Sequence, residues 1–231
     1  MSDSEKKAAA VAALEEVRTG MKIGLGTGST ADYFTRALGE KVTNGLDILA
    51  VPTSERTADL ARSLNIPLTS LEEEPVLDLT VDGADELSDA LELIKGGGGA
   101  LLREKIVAAA SNRMVVVADS SKRVANLGRF PLPIEVMPFG LGATINAVEA
   151  LLVSLSYKGD TILRKTADGK PYVTDGGHFI LDIELEMITE AGKLAAELNL
   201  IPGVVENGLF IDLADAAYVC GQTGVTILEN R

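Results

Sequence analysis

Short apolar runs alternate with segments of helical period through the first half of the chain, the pattern of a mostly parallel sheet with helices between its strands. Glu5 to Arg18 predicts a helix, because Val11, Leu14 and Val17 recur at helical spacing and Gly20 follows its end. Met21 to Leu25 predicts a strand, broken at Gly26-Thr27-Gly28-Ser29-Thr30, before a helix with Ala31, Phe34, Ala37 and Leu38 on one face. A strand over Asp47 to Val51 ends in Pro52-Thr53-Ser54, and a helix follows from Thr57 to Leu64. The next strand, Leu77 to Val81, ends in Asp82-Gly83-Ala84-Asp85-Glu86. A helix over Ala100 to Ala110 leads to a strand from Met114 to Ala118, ending in Asp119-Ser120-Ser121-Lys122. Polar and glycine-rich residues thus collect after the C-terminal ends of successive strands, the edge where open α/β sheets bind ligands.

The pattern changes near Phe130-Pro131-Leu132-Pro133. Beyond it come a strand (Ile134 to Val136), a helix (Ala143 to Leu155), strands at Thr161 to Lys165 and Phe179 to Ile183, and a helix (Thr189 to Leu198). Pro202-Gly203 precedes a last apolar run, Val204 to Ile211. This β-α-β-β-α-β order predicts a small α+β domain, residues 131–204, attached to or inserted into a main unit of residues 1–130 and 205–231.

Composition narrows the function. With 46% hydrophobic residues, the 231-residue chain is a core-former, and no apolar run reaches the length of a membrane span. Met1-Ser2-Asp3-Ser4-Glu5-Lys6-Lys7 has no secretory h-region. Cys220, the single cysteine, excludes an internal disulfide framework and points to a reducing cytoplasm. Its place in Ala217-Tyr218-Val219-Cys220-Gly221 favours a buried structural thiol over a nucleophile. A net charge of −13, from 21 basic and 34 acidic side chains, argues against nucleic acid and anionic membranes as partners. With His178 the only histidine, neither a zinc site nor a Ser-His-Asp mechanism is expected, and no metal is called for.

An anion site must then be local, and Lys95-Gly96-Gly97-Gly98-Gly99 at a helix start offers one. Four glycines in a row cost backbone entropy and bury nothing, so their use is close approach of backbone N–H groups to a ligand. Gly24-Leu25-Gly26-Thr27-Gly28-Ser29-Thr30 superficially matches a dinucleotide fingerprint, but its third glycine is replaced by Ser29 and only Glu55 lies near to hold a ribose. The hydroxyls of Thr27, Ser29 and Thr30 suit a phosphate monoester better; a plain strand-to-helix turn is the structural alternative. Asp82, Asp85 and Glu86 read as a solvated turn, a Mg²⁺ site or acid/base carboxylates. Glu104 sits on the apolar flank of its helix, with Ala100, Leu101, Val107 and Ala108 around it. Such a carboxylate is either half buried against a lysine or a poised general base, and the adjacent glycine run favours the second.

Taken in this order, Gly26-Thr27-Gly28-Ser29-Thr30, Val51-Pro52-Thr53-Ser54, Asp82 to Glu86, Lys95 to Lys105, Ala118 to Lys122 and Leu132-Pro133-Ile134-Glu135-Val136 closely resemble ribose-5-phosphate isomerases of the A type. Thr174-Asp175-Gly176, Ile201 to Val205 and Gly208-Leu209-Phe210 extend the resemblance nearly end to end; Gly176-Gly177-His178 departs from an expected Asn-rich turn. The resemblance implies a Rossmann-like open parallel sheet with a smaller ferredoxin-like α+β domain. It implies a cofactor-free aldose–ketose isomerase interconverting D-ribose 5-phosphate and D-ribulose 5-phosphate in the non-oxidative pentose phosphate pathway, usually as a homo-oligomer (dimer or tetramer). It further implies that Glu104 is the proton acceptor. Substrate contacts would come from Thr27, Gly28, Ser29 and Thr30, from Asp82, Gly83, Ala84 and Asp85, from Lys95, Gly96, Gly97 and Gly98, and from Lys122.

The chemistry of these residue types agrees. One carboxylate can remove a carbon-bound proton and return it one carbon away through an enediolate, a role that falls to Glu104. Lys95 and the glycine amides can stabilise the developing oxyanion, and Lys122 with the Thr27 to Thr30 loop can hold the phosphate. Asp82 or Asp85 could move hydroxyl protons and help open the furanose ring. Two other readings remain: an amino-sugar-phosphate isomerase, which would share the phosphate loop but need different polar groups after the third strand, and a sugar-phosphate sensor, which would carry a basic helix-turn-helix ahead of the domain.

Overall fold

The central strand from Met114 to Asp119 is buried at every position, as a strand covered on both faces must be. Its side chains alternate between two cores: Val115 and Val117 pack with Ile23, Leu25, Phe34 and Leu38, while Met114 and Val116 pack with Leu87, Leu93 and Phe210. The computed structural model describes residues 3–229; the outermost two positions at each end, which the expected domain limits include, lie outside the described residues.

In chain order the first elements are α1 (Asp3–Ala13), β1 (Lys22–Leu25), α2 (Ser29–Thr43), β2 (Leu49–Pro52), α3 (Glu55–Ser63) and β3 (Leu79–Asp82). Two short strands, β4 (Glu86–Leu87) and β5 (Leu93–Ile94), lead to α4 (Leu101–Ala109) and β6 (Met114–Asp119). Next come β7 (Leu132–Val136), α5 (Leu141–Ser154), β8 (Thr161–Leu163), β9 (Phe179–Ile183), α6 (Ala191–Leu198) and β10 (Val204–Asn207). The chain closes with β11 (Leu209–Phe210), β12 (Ala216–Gly221) and β13 (Gly224–Glu229).

β13-β12-β6-β3-β1-β2 form a six-stranded sheet, parallel except for the edge strand β13. β10-β7-β9-β8 form a four-stranded antiparallel sheet with the ferredoxin-like order, covered by α5 and α6 through Val148, Leu152, Leu194 and Leu198. The fold is therefore the expected α/β one, a Rossmann-like sheet with a smaller ferredoxin-like α+β unit. No helix of the described residues is long and apolar enough to cross a membrane.

Several local expectations change. The first helix stops at Ala13 and tightens into a 3₁₀ turn at Leu14–Glu16, so Val17 and Arg18 lie outside it. The expected strand from Val204 to Ile211 is two strands: it breaks at Gly208, where a side chain would strike the Lys95 carbonyl at 2.3 Å. β10 then pairs with β7, and β11 pairs with β5 in a three-stranded sheet with β4. The expected domain boundary between 204 and 205 thus falls inside a strand of the small sheet.

Candidate active site

The C-terminal ends of β1, β2, β3 and β6 lie side by side, so the polar segments that follow them in sequence converge. They enclose a cavity of about 100 Å³, walled by residues 27–30, 83–85, Lys95, Gly96, Gly98, Glu104 and Lys122. Every site residue expected from the sequence lines it except Asp82, which is buried, and Gly97, which is exposed and bonds to Asp85 on the wall.

Gly28 precedes α2 with φ 138°, and no side chain caps the helix, so its first N–H groups face the cavity loop without a capping acceptor. The loop is braced from below. Thr27 Oγ1 donates to Ser54 Oγ at 2.7 Å and lies 2.8 Å from Thr53 Oγ1 and 3.0 Å from Thr57 Oγ1. Thr53 Oγ1 and Thr57 Oγ1 donate in turn to the carbonyls of Leu25 and Gly26. The Pro52-Thr53-Ser54 segment therefore supports the site without lining it. Ser29 Oγ accepts from Lys6 Nζ at 3.0 Å. Nothing in the sequence pointed to Lys6, because a lysine in a helix normally reads as solvated and its partner lies 23 positions away.

Asp82 has no exposed surface and acts as a keystone: Oδ1 accepts from Thr27 N at 3.1 Å and Gly83 N at 2.7 Å, tying the ends of β1 and β3 together. Gly26 permits this approach, since a Cβ there would sit 2.1 Å from Asp82 Oδ1. Asp85 lines the cavity and accepts from Gly97 N at 2.7 Å. Glu86 is spent on structure, accepting from Gly128 N and Phe130 N at 2.7 Å each. The glycine run ends one residue before the helix cap, which is Ala100 and carries no side-chain hydrogen bond.

Lys95 Nζ is buried among oxygens: it donates to the Gly83 carbonyl at 2.6 Å and lies 3.0 Å from Asp82 Oδ2 and 3.4 Å from Glu104 Oε1. Glu104 is 3% exposed, deeper than the half-burial its helix position implied, and its Oε2 meets no hydrogen-bond partner among the described residues. Burial pushes the Glu104 carboxyl up to about 8; Lys95 pulls it down, while Asp82 and Asp85 push it further up. Burial disfavours the Lys95 charge, but Asp82 and Glu104 more than offset this and hold the ammonium up to about 12. Burial raises the Asp82 carboxyl as well, yet Asp82 is nearer the lysine and accepts two backbone N–H groups. Of the two carboxylates it is the better-held anion.

Lys122 follows β6 in a short turn and stands 6.0 Å over the Phe130 ring. Lys105, next to Glu104 in sequence, donates instead to Glu206 Oε1 and the carbonyls of Asn207 and Leu209. His178 lies outside the site, with Nδ1 2.9 Å from Glu135 Oε1, and Cys220 is buried. Among the described residues, no group of three or more His, Cys, Asp or Glu is placed to hold a metal ion.

A helix-start loop facing a buried carboxylate with one unengaged oxygen, beside a lysine, is an arrangement suited to proton transfer on a small phosphorylated molecule. The family model of ribose 5-phosphate isomerase A (phosphoriboisomerase A) matches residues 49–224. Over 229 residues the chain is 60% identical to a ribose-5-phosphate isomerase A of Rhodopseudomonas palustris, covering 99% of each. It is 57% identical over 228 residues to one from Parvibaculum lavamentivorans, again covering 99% of each. Among solved structures, the ribose 5-phosphate isomerase A of Methanocaldococcus jannaschii superposes with a TM-score of 0.92 at 39% identity, covering 99% of both chains. A D-ribose-5-phosphate isomerase in complex with phospho-erythronic acid superposes with a TM-score of 0.91 at 41% identity, covering 100% of both. The chain belongs to the ribose 5-phosphate isomerase A family.

Proposed function

We propose that the cavity is where this chain interconverts D-ribose 5-phosphate and D-ribulose 5-phosphate, the aldose–ketose isomerisation of its family and a step of the non-oxidative pentose phosphate pathway. The observation that carries the assignment of roles is Glu104: buried, lining the cavity, with one oxygen near Lys95 and the other unengaged.

In the aldose-to-ketose direction Glu104 takes the C2 proton of the open-chain sugar, and the electron pair moves toward O1 to give an enediolate. The protonated Glu104 then delivers the proton to C1, while the O2 hydroxyl proton passes by way of Asp85 to O1, leaving the ketone at C2 and a hydroxyl at C1. A carboxyl raised toward neutrality suits a group that must both accept and return a proton. Lys95 and the Gly98 N–H supply fixed donors for the oxyanion. Asp85, on the cavity wall, is placed to handle hydroxyl protons and ring opening. Asp82, buried behind it, holds Lys95 and the loop, so the shared role read from the sequence divides between the two. The start of α2, Ser29, Thr30 and Lys122 take the phosphate, whose binding energy positions C1 and C2. The six-stranded unit thus carries the chemistry and the four-stranded unit supports it.

The reading includes self-association and a reducing cytoplasmic setting. Phe139, at 91% exposure, with Val153 and Leu200, supports the first, and the single buried Cys220 supports the second. A coupled assay with ribose 5-phosphate, in ²H₂O with NMR detection of deuterium at the reacting carbons, tests the assignment. Formation of ribulose 5-phosphate with partial solvent exchange is expected; no turnover of the pentose phosphate would overturn it.

A further inference from the structure

Arg164 reaches the glycine run from the other unit. It follows β8, and its guanidinium donates to two consecutive carbonyls, Gly96 O at 2.8 Å and Gly97 O at 3.2 Å. Its remaining donors engage Asp182 as a fork, Nε to Oδ2 at 2.8 Å and Nη2 to Oδ1 at 2.5 Å. The Tyr172 ring lies 6.0 Å from the guanidinium, and its hydroxyl donates at 3.4 Å to the next carbonyl, Gly98 O.

No peptide bond among the described residues is cis. In a trans peptide the carbonyl of one residue and the N–H of the next point in opposite directions. Drawing the Gly96 and Gly97 carbonyls toward Arg164 therefore turns the Gly97 and Gly98 N–H groups away from it. Gly97 N–H meets Asp85 Oδ2 at 2.7 Å, which fixes that carboxylate on the cavity wall. Gly98 N–H has no acceptor among the described residues, and Gly98 lines the cavity with Glu104. A run of four glycines has no side chains to choose among its many backbone conformations, so its orientation must come from outside. A charged donor on a carbonyl also polarises the peptide and strengthens the N–H on its far side.

We propose that Arg164 is a positioning residue for the isomerisation: it orients the glycine run so that Gly98 N–H meets the enediolate oxygen and Gly97 N–H holds Asp85, with Asp182 and Tyr172 fixing the guanidinium. The inference rests on the assignment of Glu104 and the glycine run to the reacting carbons. Arg164 itself touches no substrate.

The test is Arg164→Gln and Arg164→Lys in the full chain, read by kcat, KM, melting temperature and inhibition constants for phospho-erythronic acid and inorganic phosphate. Removing one oxyanion donor in other enzymes lowers kcat by about 10²–10³-fold, and loosening one should lower it by roughly 10–100-fold. The expected split is a kcat loss of that size with KM changed less than about threefold, and weakened phospho-erythronic acid binding beside unchanged phosphate binding. Arg164→Lys keeps charge but cannot fork onto Asp182 while spanning two carbonyls, so it should restore melting temperature without restoring kcat. Should Arg164→Gln fail to fold, the lysine variant carries the test alone. Turnover within threefold of wild type in a folded variant, or equal weakening of both inhibitors, overturns the proposal. Glu104→Gln run alongside separates the two levels: if it is inactive while the Arg164 variants are not, only the positioning role falls; if it is active, the site assignment itself falls.

Discussion

Lys95 stands between two carboxylates and treats them unequally: its ammonium is 3.0 Å from Asp82 and 3.4 Å from Glu104, which keeps a second oxygen unengaged. One cation cannot fully compensate two buried anions, so the more distant partner is left poised to take a proton.

Glu104→Gln preserves size and helix propensity while removing the carboxylate proposed to accept the proton. A positioned general base contributes about 10²–10⁴-fold, and kcat should fall by at least that range. The variant should still bind phospho-erythronic acid. A folded variant with near-normal kcat would return Glu104 to a structural role.

The same carboxyl sets a pH dependence. Glu104 must be ionised to accept a proton, and burial has pushed it up to about 8, so kcat/KM should rise with pH through a limb near that value. Glu104→Asp, if it retains measurable turnover, should shift that limb; an unshifted limb assigns it to another group.

Stability should run the opposite way. The folded carboxyl holds its proton up to about 8 against 4.5 for a glutamate free in water, so the unfolded chain releases it first. The stability contribution of Glu104 is therefore present below about 4.5 and is lost as pH rises toward 8. The melting temperature of Glu104→Gln relative to wild type should climb across that window. A difference that stays constant with pH contradicts the raised carboxyl.

Phosphate recognition predicts a KM effect. Lys122→Ala should raise KM by about 1.5–3 kcal/mol, the range of a charged hydrogen bond, with kcat little changed. Lys6→Ala should act in the same direction through Ser29. Equal kcat/KM for ribose and ribose 5-phosphate in the wild type would contradict the phosphate site.

The two aspartates should separate. Asp85→Asn should lower kcat in a protein of near-normal stability. Asp82→Ala strips Lys95, Thr27 N and Gly83 N of their shared acceptor and should cost about 3–5 kcal/mol in urea denaturation, as breaking a buried pair does. Normal stability in Asp82→Ala would remove its keystone role.

The sheet edge, the loop after each strand and the β-α-β-β-α-β unit were legible because each rests on local periodicity or on a residue type that local geometry demands. The full burial of Glu104 was less so: helix angle shows which way a side chain leaves its helix, but not that Phe210 packs against the neighbouring lysines. Lys6 and Arg164 were silent in the sequence because their partners lie 23 and about 68 positions away, and long-range pairing leaves no periodic trace. The break at Gly208 was hidden for a related reason. An apolar run does not reveal that its two halves enter different sheets.

That break limits how freely the architecture could be rearranged. Strand β10 enters the small sheet, and two residues later β11 is paired beneath the helix that carries Glu104, with Lys105 bonded to the carbonyls on both sides of the turn. Cutting the gene at this junction would sever a shared seam rather than a tether. A chimera that exchanged the small unit for another ferredoxin-like fold would have to reproduce the turn at Gly208 and its lysine anchor, or lose the register of α4.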